Sequence, residues 1–222
     1  MIEIYLSRVE LNTRRRETIQ LMSSPQRIHA TIMASFPSFE RKDRVLWRID
    51  FLGPSTYVIV QSDEKPDFHH IIDQFGWPAS NQTWDTIQYD AFLNGIMNGQ
   101  VWRFRLLANP THSVSDKFQY ESRGKVQAHV TVDQQKNWLI HRSQKLGFSI
   151  EDVSQDIKEP ALEIRQSETK RFLRGNEHVT FNAVTFEGLL RVENAELLVS
   201  SMKKGIGRAK GYGCGLLTVT RL

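Results

Sequence analysis

The spacing of hydrophobic residues near the N-terminus predicts a strand followed by a helix. Apolar positions in residues 2–11 recur with a period close to two, which is typical of a strand. Ser24 followed by Pro25 indicates a helix start, because a hydroxyl cap and a proline both suit the first turn. Apolar residues four apart then form one stripe, and Pro37 is expected to end the helix.

The pattern continues with strands, a second helix and more strands before residue 110. The predicted elements are strands at 45–52 and 56–62, a helix at 67–76, and strands at 87–93 and 100–108. Asn98-Gly99 lies between the last two strands and is a hairpin signal. The order strand, helix, strand, strand, helix, strand predicts a ferredoxin-like domain with an extra hairpin arm.

The chain changes character after Asn109-Pro110, where a polar stretch is typical of a linker. The pattern then restarts, with strands at 126–132, 161–165, 179–192 and 216–222 and helices at 134–146 and 195–204. We therefore predict an α+β fold of two tandem ferredoxin-like (RRM-like) domains. Their predicted limits are 1–110 for the N-terminal domain, 111–125 for the linker and 126–222 for the C-terminal domain.

Composition narrows the class of protein. The 222 residues suffice for one or two domains, and the one cysteine, Cys214, excludes an internal disulfide and a cysteine-based zinc site. No apolar run reaches the length of about 18 residues that a membrane span needs. The N-terminus alternates and lacks the pattern of a signal peptide. We expect a cytoplasmic protein that does not bind membranes.

Positive charge is concentrated in the second half of the chain. The formal net charge is +4, and residues 1–110 hold 12 basic and 12 acidic side chains. Residues 111–222 hold 17 basic and 13 acidic side chains, and the last 26 residues hold five basic and no acidic ones. A local basic surface suits a polyanion such as nucleic acid, although this net charge alone does not establish it.

A glycine-rich segment, residues 205–215, holds five of the 13 glycines together with Arg208 and Lys210. Glycine lets the backbone approach a ligand closely and turn its N–H groups toward anionic oxygens. The segment lacks a P-loop pattern and runs from helix to strand, the reverse of a dinucleotide-binding motif. Contact with phosphate or sugar is the favoured interpretation, and a glycine-rich connection with incidental charge is the alternative.

The ending GIGRAKGYGCGLL resembles the C-terminal glycine-rich loop of CRISPR repeat-processing endoribonucleases. YLSRVEL, QRIHATIMASFP and FRLLANP are similar to the type I-E members, the CasE family, and all four motifs stand in the expected order. The resemblance implies two ferredoxin-like domains that bind the stem-loop of a CRISPR repeat. It also implies that the RNA is cut once at the 3′ base of the stem without metal, and that the protein then stays on its product within the surveillance complex Cascade.

His29 is the candidate catalytic residue, because it lies on the first helix, where the family's catalytic histidine lies. Metal-free RNA cleavage uses the substrate's 2′-hydroxyl as nucleophile, and histidine is the natural group for proton transfer near neutral pH. Family members often carry tyrosine three residues earlier, where this chain has Gln26, which is no proton donor. Gln26 and Arg27 are candidates for catalytic support. The acid is His29, water or another group, and a purely structural His29 is the alternative.

Basic residues of the second domain are candidates for RNA contact. Lys170, Arg171 and Arg174 precede Gly175-Asn176 between two strand-like runs, which predicts a basic hairpin tip. The resemblance implies that a basic element of this domain enters the groove of the stem, and a solvated charged turn is the alternative. The other candidate RNA-binding residues are Lys203, Lys204, Gly205, Gly207, Arg208, Lys210, Gly211 and Gly213.

The predicted function is a metal-independent endoribonuclease that matures CRISPR RNA. No metal and no cofactor is predicted, since the remaining histidines lack ligand spacing and no compact Asp/Glu constellation stands out. The partners are the repeat stem-loop and other Cascade subunits. The alternative is a non-catalytic subunit that binds the RNA hairpin, and a third possibility is a tandem RRM-type adaptor that prefers linear RNA.

Overall fold

A computed structural model describes residues 3–36, 45–79, 84–114, 125–154 and 156–222. Its helices are α1 (Arg16–Met22), α2 (Pro25–Met33), α3 (His69–Phe75), α4 (Asp90–Asn94), α5 (Val132–Ser143) and α6 (Ala195–Lys204). Its strands are β1 (Tyr5–Leu11), β2 (Leu46–Leu52), β3 (Ser55–Ser62), β4 (Trp84–Gln88), β5 (Val101–Ala108), β6 (Thr111–Val114), β7 (Lys125–Ala128), β8 (Phe148–Ile150), β9 (Leu162–Arg174), β10 (Glu177–Val192) and β11 (Leu217–Thr220). Short 3₁₀ turns lie at Gln144–Leu146 and Lys210–Tyr212.

The first sheet has the strand order β2-β3-β1-β4, and its neighbouring strands are antiparallel. With α2 between β1 and β2 and α3 between β3 and β4, this is the predicted ferredoxin-like arrangement. The register sets Val9 opposite Val58, and both pack with Ile28 and Ile32 of α2 in one core. The predicted start of α2 is confirmed, because the Ser24 hydroxyl caps the helix and Pro25 begins it.

The second sheet repeats this order as β11-β5-β10-β8, and β9 extends β10 as a long hairpin. Helix α5 lies between β5 and β8 in the chain and α6 lies between β10 and β11. Both helices pack on the sheet, with Leu139 and Leu198 buried against Phe186 and Leu190. The α+β fold of two tandem ferredoxin-like units is confirmed.

The predicted hairpin over residues 87–108 is wrong. Strand β4 ends at Gln88, a short helix follows, and β5 pairs with β10 and β11 of the second sheet. Tyr89, Leu93 and Ile96 have helical spacing and are buried in the second core, which explains why this stretch forms no strand. Strand β5 therefore begins the second unit, and its assignment to residues 1–110 of the first domain is corrected.

Strands β6 and β7 pair with each other, so the two ends of the predicted linker 111–125 form a small ribbon. The middle of that linker, 115–124, lies outside the described residues, as does Pro37. The limits of the domains as independently folding units stay predictions. None of the helices in the described ranges is long and apolar enough to cross a membrane.

A buried arginine joins the two units. Arg48 of β2 donates to both carboxylate oxygens of Asp50 at 2.7 and 2.8 Å. It also donates to the backbone oxygens of Arg105 and Leu216 at 3.1 and 2.8 Å, and to the Thr218 hydroxyl at 2.9 Å. Burial alone would raise the pKa of Asp50, but the hydrogen bonds and charge of Arg48 hold it below its usual value. Strands β5 and β11 are thereby fixed against β2.

Candidate functional site

The glycine-rich segment 205–215 folds back from the second unit onto the first. A Cβ added at Gly205 would lie 2.7 Å from a Leu46 methyl, and one at Gly213 would lie 2.8 Å from the Trp47 ring. Both glycines also have positive φ, 74° and 90°, where side chains are strained. Packing between the units therefore explains why these positions are glycine, and their contact with RNA stays a prediction.

His29 lies half-buried on α2, directly beside this segment. A Cβ built on Gly211 would stand 3.9 Å from His29 Nε2, at ordinary van der Waals distance. The fold thus brings the candidate catalytic residue and the glycine-rich segment together.

The two candidates for catalytic support are placed differently. Gln26 precedes His29 by three residues and shares its side of α2, and within the described ranges its side-chain oxygen is buried without a hydrogen-bond partner. Arg27 is exposed, and the helical period sets it about 200° from His29 around the axis. The structure therefore groups Gln26 with His29, and it sets Arg27 on the opposite side of the helix.

The candidate cations near the glycine-rich segment fall into two groups. The Lys203 ammonium lies 3.1 Å from an Asp90 carboxylate oxygen, and Lys210 Nζ donates to the backbone oxygen of Lys204 at 2.8 Å. These two side chains thus have roles within the protein. The side chains of Lys204 and Arg208 are exposed, which makes them the more accessible cations for a phosphate.

The predicted basic hairpin tip is present, since β9 and β10 meet at Gly175-Asn176. Arg171 and Arg174 are exposed there, whereas Lys170 Nζ lies 2.6 Å from a carboxylate oxygen of Glu168. The two arginines are therefore better placed than Lys170 to offer charge to a partner.

Tyr212 joins the hairpin to the glycine-rich segment, a contact that the sequence analysis missed. Its ring meets Phe172 edge-on, with centroids 4.9 Å apart, and stacks on Phe181 at 5.9 Å. No sequence signal pairs a tyrosine among glycines with strands more than 30 residues earlier. Because Tyr212 follows Gly211, the hairpin, the glycine-rich segment and α2 form one continuous surface.

Neither a thiol nor a metal cluster is evident at this surface. Burial raises the pKa of Cys214 to about 12, so its thiolate is not available as a nucleophile. Across the described parts of the chain, no three His, Cys, Asp or Glu side chains form a group that could hold a metal ion. The His29 imidazole lies beside the glycine-rich segment.

Comparison with known proteins identifies relatives along the whole chain. The family described as CRISPR associated protein matches residues 4–221. The CRISPR-associated endoribonuclease Cse3 of Thermus thermophilus is 26% identical over 226 residues, which cover 97% of this chain and 99% of that protein. The Cascade subunit CasE of Escherichia coli K12 is 29% identical over 168 residues, which cover 73% of this chain and 80% of that protein.

Solved structures agree with the sequence relatives. Thermus thermophilus Cse3 bound to an RNA that represents a pre-cleavage complex matches with a TM-score of 0.79 and 26% identity, covering 98% of this chain and 99% of that one. The Cas6e structure from Escherichia coli K-12, at 23% identity and a TM-score of 0.65, shares the fold. Since the family match spans both ferredoxin-like units, the chain belongs to this family of CRISPR-associated proteins.

Proposed function

We propose that this chain is a metal-independent endoribonuclease that cuts CRISPR precursor RNA at the 3′ base of the repeat stem-loop. It then stays bound to the mature RNA as a Cascade subunit, and its RNA substrate makes the cytoplasm its proposed location. The observation that carries the proposal is the position of His29 against the glycine-rich segment. Relatives named endoribonuclease Cse3 and Cascade subunit CasE support it.

The reaction requires only the RNA, the protein and water. The 2′-hydroxyl of the nucleotide before the cut attacks the adjacent phosphorus, and the bond to the 5′-oxygen breaks. His29 either takes the proton of the 2′-hydroxyl as base, while water protonates the leaving 5′-oxygen, or protonates that oxygen as acid, while water takes the proton of the 2′-hydroxyl. The products are a 5′-hydroxyl and a 2′,3′-cyclic phosphate, which water opens to a 3′ phosphate.

The surrounding groups bind and orient the phosphate. Lys204 and Arg208 are exposed beside the glycine-rich segment and supply positive charge to the phosphate as negative charge develops on it. The Gln26 amide does not titrate near neutral pH, so it transfers no proton, and because its oxygen is buried its role is to orient the RNA by donating from its N–H groups. His29 is thus the proton-transfer group, whereas Lys204, Arg208 and Gln26 bind the RNA.

Incubation with the host repeat RNA in EDTA tests this function. We expect one cut at the 3′ base of the stem, with a 5′-hydroxyl end and a cyclic or 3′ phosphate, on a denaturing gel. About one turnover per protein is expected because the product stays bound. Binding without any cut would favour the non-catalytic hairpin-binding subunit, and cleavage that appears only with added magnesium would reject metal independence.

Removal of both exposed arginines of the hairpin tip, R171A with R174A, is expected to weaken hairpin binding. Each lost phosphate contact should reduce the slope of log affinity against log salt by about 0.9. The matched control is R191A, because Arg191 is bound to Glu151 at the far end of β10. An unchanged salt slope in the double variant, measured by filter binding, would place the RNA away from this tip.

A further inference from the structure

A cleft of about 600 Å³ separates the two units beside α2. Pro25 and Ile28 of α2 and Phe51 of β2 form one wall, and Tyr212 and strands β9 and β10 form the other. Its volume lies within the range of pockets that enclose small molecules. The cleft thus offers a space of molecular size at the junction of the two units.

The cleft adjoins the candidate catalytic residue. His29 directly follows Ile28, which lines the cleft, and Tyr212 directly follows Gly211, which lies next to His29 Nε2. An RNA strand whose scissile phosphate meets His29 therefore has its neighbouring nucleotides at the mouth of the cleft.

Charges in the cleft neutralise one another. The cations are Arg105, Arg165 and Lys170, and the anions are Asp50, Glu168 and Glu187. Arg105 lies between Asp50 at 3.5 Å and Glu187 at 2.6 Å, and Arg165 reaches Glu187 at 2.8 Å. Lys170 is paired with Glu168, as described above. With no net charge, the cleft does not attract a phosphate backbone, but its carboxylates and guanidinium groups match the polar edges of a neutral base.

Aromatic side chains complete the wall. Phe51 is 60% exposed near the tip of the β2–β3 hairpin. Trp47 also lines the cleft, but it is 3% exposed and packs against Gly213, so it forms apolar wall and offers no stacking face. An exposed aromatic face such as that of Phe51 stacks nucleobases regardless of sequence.

We propose that this cleft holds one unpaired nucleobase of the RNA that flanks the cut, stacked on Phe51. The inference rests on the proposed function, because it takes the RNA at His29 as given. Insertion of the base would fix the position of the strand beside His29 and align the 2′-hydroxyl with the phosphorus. Phe51 is then a positioning residue that acts on the rate of the cut through the substrate.

The test combines F51A with repeat RNAs in which each unpaired nucleotide next to the stem is made abasic in turn. We expect one abasic position to slow single-turnover cleavage by native protein about tenfold, which is the size of one stacking contact. F51A should slow the intact RNA by a similar factor, and the abasic change should then add nothing. The fluorescence of a 2-aminopurine at that position should be quenched when native protein binds and should stay high when F51A binds.

The matched control is L52A, because Leu52 is the next residue, is 45% exposed and lies outside this cleft. On each RNA, intact or abasic, L52A should cleave at the same rate as native protein does. Equal abasic penalties in native protein and F51A, or no penalty at any position, would overturn the base-binding cleft. Those results leave cleavage of the intact RNA in place, whereas failure of the proposed function would appear as no cleavage by native protein at all.

Discussion

Replacement of His29 by alanine is expected to abolish cleavage of the repeat RNA in EDTA and to leave hairpin affinity nearly unchanged. The imidazole transfers the proton, and such catalysis contributes about 10²- to 10⁴-fold to the rate. Binding depends instead on the exposed cations and on the glycine-rich segment. Single-turnover rates on denaturing gels and filter binding of the same RNA measure the two effects separately.

The matched control for this variant is H141A. His141 lies exposed on α5, with its Nδ1 2.7 Å from the backbone oxygen of Asn137 and away from the glycine-rich segment. It should cut at the native rate. Cleavage by H29A at a rate close to native would reject the role given to His29. Failure of native protein itself to cut would instead favour the non-catalytic alternative.

Loss of the buried arginine should have the largest effect on stability. R48M removes the hydrogen bonds between the two units and leaves the buried Asp50 carboxylate with Arg105 alone, at 3.5 Å. Breaking a buried pair in this way costs about 3–5 kcal/mol in the free energy of unfolding. Urea denaturation at neutral pH measures the loss.

The control is R8M, since Arg8 pairs with Asp85 at 2.7 Å on an exposed surface. An exposed pair contributes about 1 kcal/mol or less. If R48M were no less stable than R8M, the Arg48 contacts would not hold the units together.

The stability difference between native protein and R48M should also depend on pH. The pKa of Asp50 is lowered in the folded state, so its ionised form stabilises the fold above the unfolded-state pKa. This contribution is lost as the pH falls through the folded-state pKa, where the protonated carboxyl no longer needs Arg48. The difference in the free energy of unfolding between native protein and R48M should therefore become smaller in acid. A difference that does not change with pH would contradict the pairing of Arg48 with Asp50.

Elements governed by local chemistry were predictable from the sequence. The start of α2 follows from Ser24 and Pro25, and the hairpin turn at Gly175-Asn176 follows from residues that favour turns. Helix α6 has the predicted limits of 195–204. In each case the residues that decide the structure are neighbours in the chain.

Partners distant in the chain were not predictable. The alternating pattern of β5 predicts a strand, but it does not predict which sheet that strand joins. Likewise, Arg48 hydrogen-bonds the Leu216 carbonyl 168 positions away. The site shows the same division, because family motifs identified His29 and the glycine-rich segment, whereas the Tyr212 contacts and the neutral cleft depend on packing between the units.

The role of His29 is tested most directly by a crystal structure of the protein with its repeat hairpin, made uncleavable by a 2′-deoxy nucleotide before the cut. We predict that a ring nitrogen of His29 lies about 3 Å from one of two points. The first is the position on C2′ that the hydroxyl occupies in the natural RNA, and the second is the 5′-oxygen of the scissile phosphate. The glycine-rich segment should lie against the adjoining stem. A scissile phosphate that lies far from this imidazole, next to a different side chain, would contradict the role of His29.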